Sequence, residues 1–135
     1  MEKEFIPYEQ ALALKELGFD EPCFGYYYHY YFKDKIYFEG SRYDVSSDCH
    51  NLALVKAPLY QQAFRWFREK QGMLVCIEFV EPEYGGDYGY KMYYKPGHLH
   101  IDHWNKGFQT YEEAEQACLD KLIEIVNRIV SIKNK

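Results

Sequence analysis

The chain reads as an α+β domain in which an antiparallel, meandering sheet carries three packed helices, in the order α-β-β-(β)-α-β-β-β-α. Three observations predict it. The pattern Tyr-x-(Gln/Glu)-Ala occurs at Tyr8 to Ala11, Tyr60 to Ala63 and Tyr111 to Ala114, spaced 52 and then 51 residues apart, and each occurrence has the character of a first helical turn. Between these starts lie short runs rich in Tyr, Phe, Val and Ile, the residues that suit a pleated, half-buried surface. The links between the runs are short, which favours antiparallel neighbours.

Helix one is expected from Pro7 to about Leu17. Pro7 suits the first helical position, where a missing N–H costs nothing, and Gly18 followed by apolar Phe19 resembles a Schellman stop. Gly25 to Phe32 and Ile36 to Glu39 then read as a hairpin joined by Lys33-Asp34-Lys35. The stretch from Gly40 to Asn51 has the composition of a loop, and Leu52 to Val55 reads as a strand entering helix two.

Helix two runs from Pro58 to Gly72. Leu59, Tyr60, Ala63, Phe64, Trp66 and Phe67 form its apolar arc, with Gln62, Arg65 and Glu69 at helical spacing on the other side. Trp66 is a core anchor in this reading. Leu74 to Val80 and Tyr90 to Tyr94 follow as strands, separated by the acidic, Gly-rich loop Glu81 to Gly89. Leu99 to Trp104 reads as the last strand, and Asn105-Lys106-Gly107 as the turn into helix three.

Helix three has the clearest start. Thr110 with Glu113 makes the capping box T-x-x-E, and Glu112, Glu113 and Glu115 suit the positive end of the helix dipole. Tyr111, Ala114, Cys118, Leu122, Ile125 and Ile129 continue one apolar stripe, with Lys133 and Lys135 near the negative end. The thrice-repeated opening is compatible with an internal duplication of a helix plus two or three strands. It is equally compatible with chance recurrence in a Tyr-rich chain.

At 135 residues the chain is expected to form one domain, residues 1–135. Its hydrophobicity is carried by 15 Tyr, 9 Phe and 2 Trp, which is incompatible with a disordered chain. The formal charge of -5 and the lack of a Lys/Arg block argue against duplex DNA as a partner, because phosphate neutralisation needs clustered cations. The charged start, Met1 to Phe5, with no long apolar run after it, predicts neither a signal peptide nor a membrane span, so cytosol is the expected compartment. Cys23, Cys49, Cys76 and Cys118 are widely spaced, without a C-x-x-C pair, and read as reduced packing residues.

The segments FIPYEQALALKELGFDEP (Phe5 to Pro22), APLYQQAFRWFREK (Ala57 to Lys70) and TYEEAEQACLDKLIEIV (Thr110 to Val126) resemble a group of small phage and prophage proteins of gut Bacteroidetes. The resemblance covers the helices and leaves the β segments largely unmatched. It implies a phage or mobile-element origin and the cytosol of a bacterial host. No activity, cofactor or catalytic residue comes with it.

Two runs could carry function. His98-Leu-His100-Ile-Asp102-His103 fits the letters H-x-H-x-D-H of metallo-β-lactamase-fold hydrolases, although no histidine follows His103 to complete such a centre. As a strand it places His98, His100 and Asp102 on one face, a three-ligand set for a zinc ion with a water in fourth position. The alternative is a solvent-facing polar stripe opposite a buried apolar one.

The second run, Tyr26 to Phe32, alternates so that Tyr26, Tyr28, Tyr30 and Phe32 share one face and Tyr27, His29 and Tyr31 the other. Tyr88, Tyr90, Met92 and Tyr94 make a similar row on what reads as a neighbouring strand. With helices on one sheet face, some of Tyr27, Tyr31, Tyr88, Tyr90 and Tyr94 should stay exposed as a binding patch. Structurally, the same tyrosines are ordinary strand residues with packed rings. No P-loop, nucleophile elbow, dinucleotide fingerprint or Cys-His frame is present, and no cofactor is expected. These features favour a non-enzymatic protein-interaction module, whose nearest partner is a second copy of the chain. A small metal-dependent hydrolase centred on His98, His100 and Asp102 is the runner-up.

Overall fold

All three Tyr-x-(Gln/Glu)-Ala motifs begin helices at their tyrosine: α1 is Tyr8–Glu16, α2 is Tyr60–Gln71 and α3 is Tyr111–Lys133. The alanine at the fourth position is buried each time, at Ala11, Ala63 and Ala114, so the motif sets both where a helix starts and which side of its first turn faces inward. The computed structural model describes residues 2–28, 33, 35–38, 54–81, 83, 87–94 and 105–134. Its strands are β1 (Gly25–Tyr28), β2 (Tyr37–Phe38), β3 (Leu54–Ala57), β4 (Met73–Phe79), β5 (Tyr88–Tyr94) and β6 (Asn105–Phe108). The order of helices and strands is the expected one, and the fold is α+β.

The strands do not form one meander. They make two three-stranded antiparallel sheets, ordered β2-β1-β3 and β4-β5-β6, in two compact units, Met1–Gln62 and Ala63–Lys135. The division falls inside α2. Each unit follows a helix with three strands, as a duplication would require, but the first strand is central in one sheet and the second strand in the other.

In the first unit, α1 packs on β3. Pro7 sits one position earlier than expected, as the N-cap in an extended conformation, and Ala11 N–H closes the first turn onto its carbonyl. The helix stops as its sequence predicts. Gly18 is left-handed at φ 100°, its N–H donates to the Lys15 carbonyl, and Phe19 N–H donates to the Leu14 carbonyl, the paired bonds of a Schellman motif. The inward row of the sheet is Gly25 and Tyr27 on β1 with Val55 and Ala57 on β3. Phe5, Ile6, Tyr8 and Leu14 are buried in the same unit, with the Tyr8 and Tyr27 rings edge to face at 5.7 Å.

In the second unit, α3 lies across β4, β5 and β6. The first half of its capping box forms, with Thr110 Oγ1 accepting from Glu113 N–H at 3.1 Å, while the Glu113 carboxylate reaches one residue beyond the N-cap, Oε2 accepting from Gln109 N–H at 3.0 Å. Leu119, Leu122 and Val126 are fully buried beside Ala114 and Cys118, and Tyr111, expected on the inner stripe, is exposed. The segment Asn105 to Gly107, expected as a turn, belongs to strand β6 instead. Tyr88 pairs with Phe108 and Gly89 with Lys106, so Gly107 is the extra residue of a β-bulge, and its φ of 107° is why a glycine there is compatible with a strand. The expected strand Leu99 to Trp104 lies outside the described residues. Among the described residues no helix is long and apolar enough to cross a membrane.

Candidate functional site

Strand alternation divides each sheet into a helix-facing row and an outer row, and the two rows of β1 are opposite to expectation. Tyr27 is buried, with 4% of its surface exposed, and its hydroxyl donates to the Ile6 carbonyl at 2.7 Å. Tyr26 and Tyr28 take the outer row and are half-buried. The same correction holds on β5. Tyr90 is 2% exposed and stacks on Phe108 at 5.9 Å, and Tyr88 meets Tyr111 of α3 edge to face at 6.1 Å, so the row Tyr88, Tyr90, Met92, Tyr94 faces the helix. Tyr88 and Tyr94 are half-buried at the ends of that row, and Tyr31 lies outside the described residues.

The tyrosines expected to form one patch are also separated by pairing. β1 belongs to the first sheet and β5 to the second, so Tyr27 is not on a strand next to Tyr88, Tyr90 and Tyr94. Two outer faces take the place of the expected patch.

The outer face of the first sheet gathers three tyrosines. Antiparallel pairing sets Tyr26 directly opposite Tyr37 of β2, and alternation sets Tyr28 on the same side. The rings of Tyr26 and Tyr37 stack at 6.0 Å, Tyr28 meets Tyr37 edge to face at 4.8 Å, and Tyr26 meets Tyr28 edge to face at 5.7 Å. All three are half-buried. Cations frame them: Lys35 Nζ lies 5.2 Å from the centre of the Tyr37 ring, and Lys56, opposite Tyr26 on β3, pairs with Asp20 at 3.0 Å. Leu54 completes the face opposite Tyr28. Period-two alternation had separated these residues correctly into a row with Tyr26 and Tyr28, but it carried no mark of which row was outside.

The outer face of the second sheet is more mixed. Leu74 lies opposite Tyr93 and both are exposed; Cys76, also exposed, lies opposite Lys91. Lys91 Nζ reaches Glu78 Oε1 at 3.1 Å, and this contact raises the lysine pKa.

The thiols in the described residues are free. Burial pushes the Cys23 thiol up to about 11 against a smaller opposing effect of Lys56, and burial pushes Cys118 up as well. Neither is poised as a thiolate nucleophile, in line with their reading as packing residues. His98, His100 and Asp102 lie outside the described residues. Among the described residues no group of three or more His, Cys, Asp or Glu side chains is placed to hold a metal ion. No protein-family model, no curated protein and no solved structure matches the chain.

Proposed function

We propose that the protein is a non-enzymatic protein-interaction module, of phage or mobile-element origin and acting in a bacterial host cytosol, that binds a protein partner through the tyrosine face of its first sheet. The observation that carries this reading is the cluster of Tyr26, Tyr28 and Tyr37, three half-buried rings in mutual contact on the side of the sheet away from Tyr27. Tyrosine rings offer large contact area at small entropic cost, and neighbours that already restrain one another lose little freedom when a partner docks. Lys35 beside Tyr37 suits a partner segment that carries a carboxylate among apolar side chains. The formal charge of -5 supports a protein partner over duplex DNA. The phage origin rests on the resemblance of the three helices.

The test is a comparative pull-down from phage-infected cells followed by calorimetry with the captured partner. Wild type and Tyr27→Phe should capture the same protein, whereas Tyr28→Ser with Tyr37→Ser should lose it. Truncation of anchors of this kind costs about 2 kcal/mol or more of binding free energy. Equal affinity for the wild type and the double variant would refute the assignment of this face.

A further inference from the structure

Four described strands lie at sheet edges, and three of them carry the usual defences against pairing with another chain. β2 has two residues, β3 has four including Lys56, and β6 has four including Lys106 together with the bulge at Gly107. β4 differs. It is seven residues long, Met73 to Phe79, is paired with β5 along its whole length without a register shift, and contains no Lys, Arg or Pro. Its one charge, Glu78, is matched by Lys91 within the sheet.

The covering of the helix-facing row thins toward that edge. On β5, Tyr90 and Met92 are buried, and on β4 Met73 is buried, but Val75 and Ile77 are half-buried and Phe79 is 52% exposed. Although α3 reaches β4, the apolar row Val75, Ile77 and Phe79 is only partly covered, and among the described residues no strand pairs with the outer edge of β4, where an added strand and added side chains would both be favourable.

We infer that β4 is the edge at which a second copy of this chain adds, antiparallel, to join two three-stranded sheets into one of six strands. Residues directly opposite in an antiparallel pair point to the same face, so a two-fold pairing matches the Met73, Val75, Ile77 and Phe79 rows only if one residue of β4 lies opposite itself. Pairing all seven residues places Cys76 at that centre. Met73 then meets Phe79, Val75 meets Ile77 and Leu74 meets Glu78 of the other copy, which puts apolar side chains together on the helix side and no like charges opposite each other. The strand is self-complementary in this register. The surface lies on the second sheet, so it goes beyond the partner-binding tyrosine face and stands or falls separately from it.

Cys76 reports the register directly. Opposed residues in an antiparallel pair have Cα atoms about 4.5–5.5 Å apart, within the range a disulfide spans. Sedimentation of the reduced full chain from micromolar to near-millimolar concentration should show a monomer–dimer equilibrium. Ile77→Lys and, at the already exposed position, Phe79→Lys should each raise the dissociation constant at least tenfold while circular dichroism stays native. Mild oxidation with diamide should give a dimer whose linked peptide joins Cys76 to Cys76, and Cys76→Ser should abolish it. A chain that stays monomeric throughout, a dimer indifferent to both lysine variants, or an oxidised link through other cysteines overturns the proposal. Because none of these variants touches Tyr26, Tyr28 or Tyr37, loss of the dimer and loss of partner binding are distinguishable.

Discussion

The hydroxyl of Tyr27 donates a 2.7 Å hydrogen bond to the carbonyl oxygen of Ile6, and both residues are buried. The bond ties the first sheet to the segment that leads into α1. A tyrosine that sequence alternation offered as a binding residue is thus a structural one. Tyr27→Phe should keep the ring contact with Tyr8 and lose the donor, at a cost of about 1–3 kcal/mol in urea denaturation. Partner binding should be unchanged, because the residue points away from the tyrosine face.

Thr110 supports α3 through one accepted hydrogen bond from Glu113 N–H. Thr110→Ala should destabilise the protein by about 1 kcal/mol, and Thr110→Asp should restore most of that loss. Denaturant midpoints of the three proteins at equal slope test both statements.

The three described thiols should separate by reactivity. Exposed Cys76 should react first with a maleimide or iodoacetamide, Cys23 slowly, and buried Cys118 only on unfolding. With its pKa at about 11, Cys23 at pH 8 is about one part in a thousand thiolate. The same shift has a consequence for stability. The folded protein holds this proton above the ordinary value of 9.0, so the stabilising contribution is complete below pH 9 and is lost as pH rises toward about 11. Cys23→Ala should therefore lose stability less steeply than wild type across that window, as measured by denaturant titration at successive pH values.

Removal of residues 108–135 takes away α3, which packs on β4, β5 and β6, the strands that carry buried Met73, Tyr90 and Met92. The truncated chain should aggregate or bind anilinonaphthalene sulfonate as a molten state. A dispersed, natively folded product would show that the second sheet does not depend on its helix.

Calorimetry should give a single transition, with van't Hoff and calorimetric enthalpies in agreement, as expected for one cooperative domain. The division between the units falls inside α2 and not at a linker, and a helix forms cooperatively. Two well-separated transitions would refute this.

The helix ends were legible in the sequence because their causes are local. Tyr8, Tyr60 and Tyr111 open the three helices, Thr110 and Glu113 cap the last, and Gly18 with Phe19 ends the first, each through contacts within a few residues. The burial of Ala11, Ala63 and Ala114 follows from helical period in the same way. The site was legible only in part. Alternation identified Tyr26 with Tyr28 as one row and Tyr88, Tyr90 and Tyr94 as another, yet tyrosine suits either side of a sheet, and the side was decided by what packs there: Ile6 and Tyr8 over Tyr27, and Tyr111 of α3 beside Tyr88. Strand partners likewise come from distant segments. Leu54 to Ala57 pairs with β1 across the whole hairpin, which places Lys56 opposite Tyr26, and no local pattern encodes that choice. Helix boundaries belong to the sequence by itself, while the inner and outer rows and the division into two sheets belong to the tertiary structure, because pairing and burial depend on side chains brought together only by the folded chain.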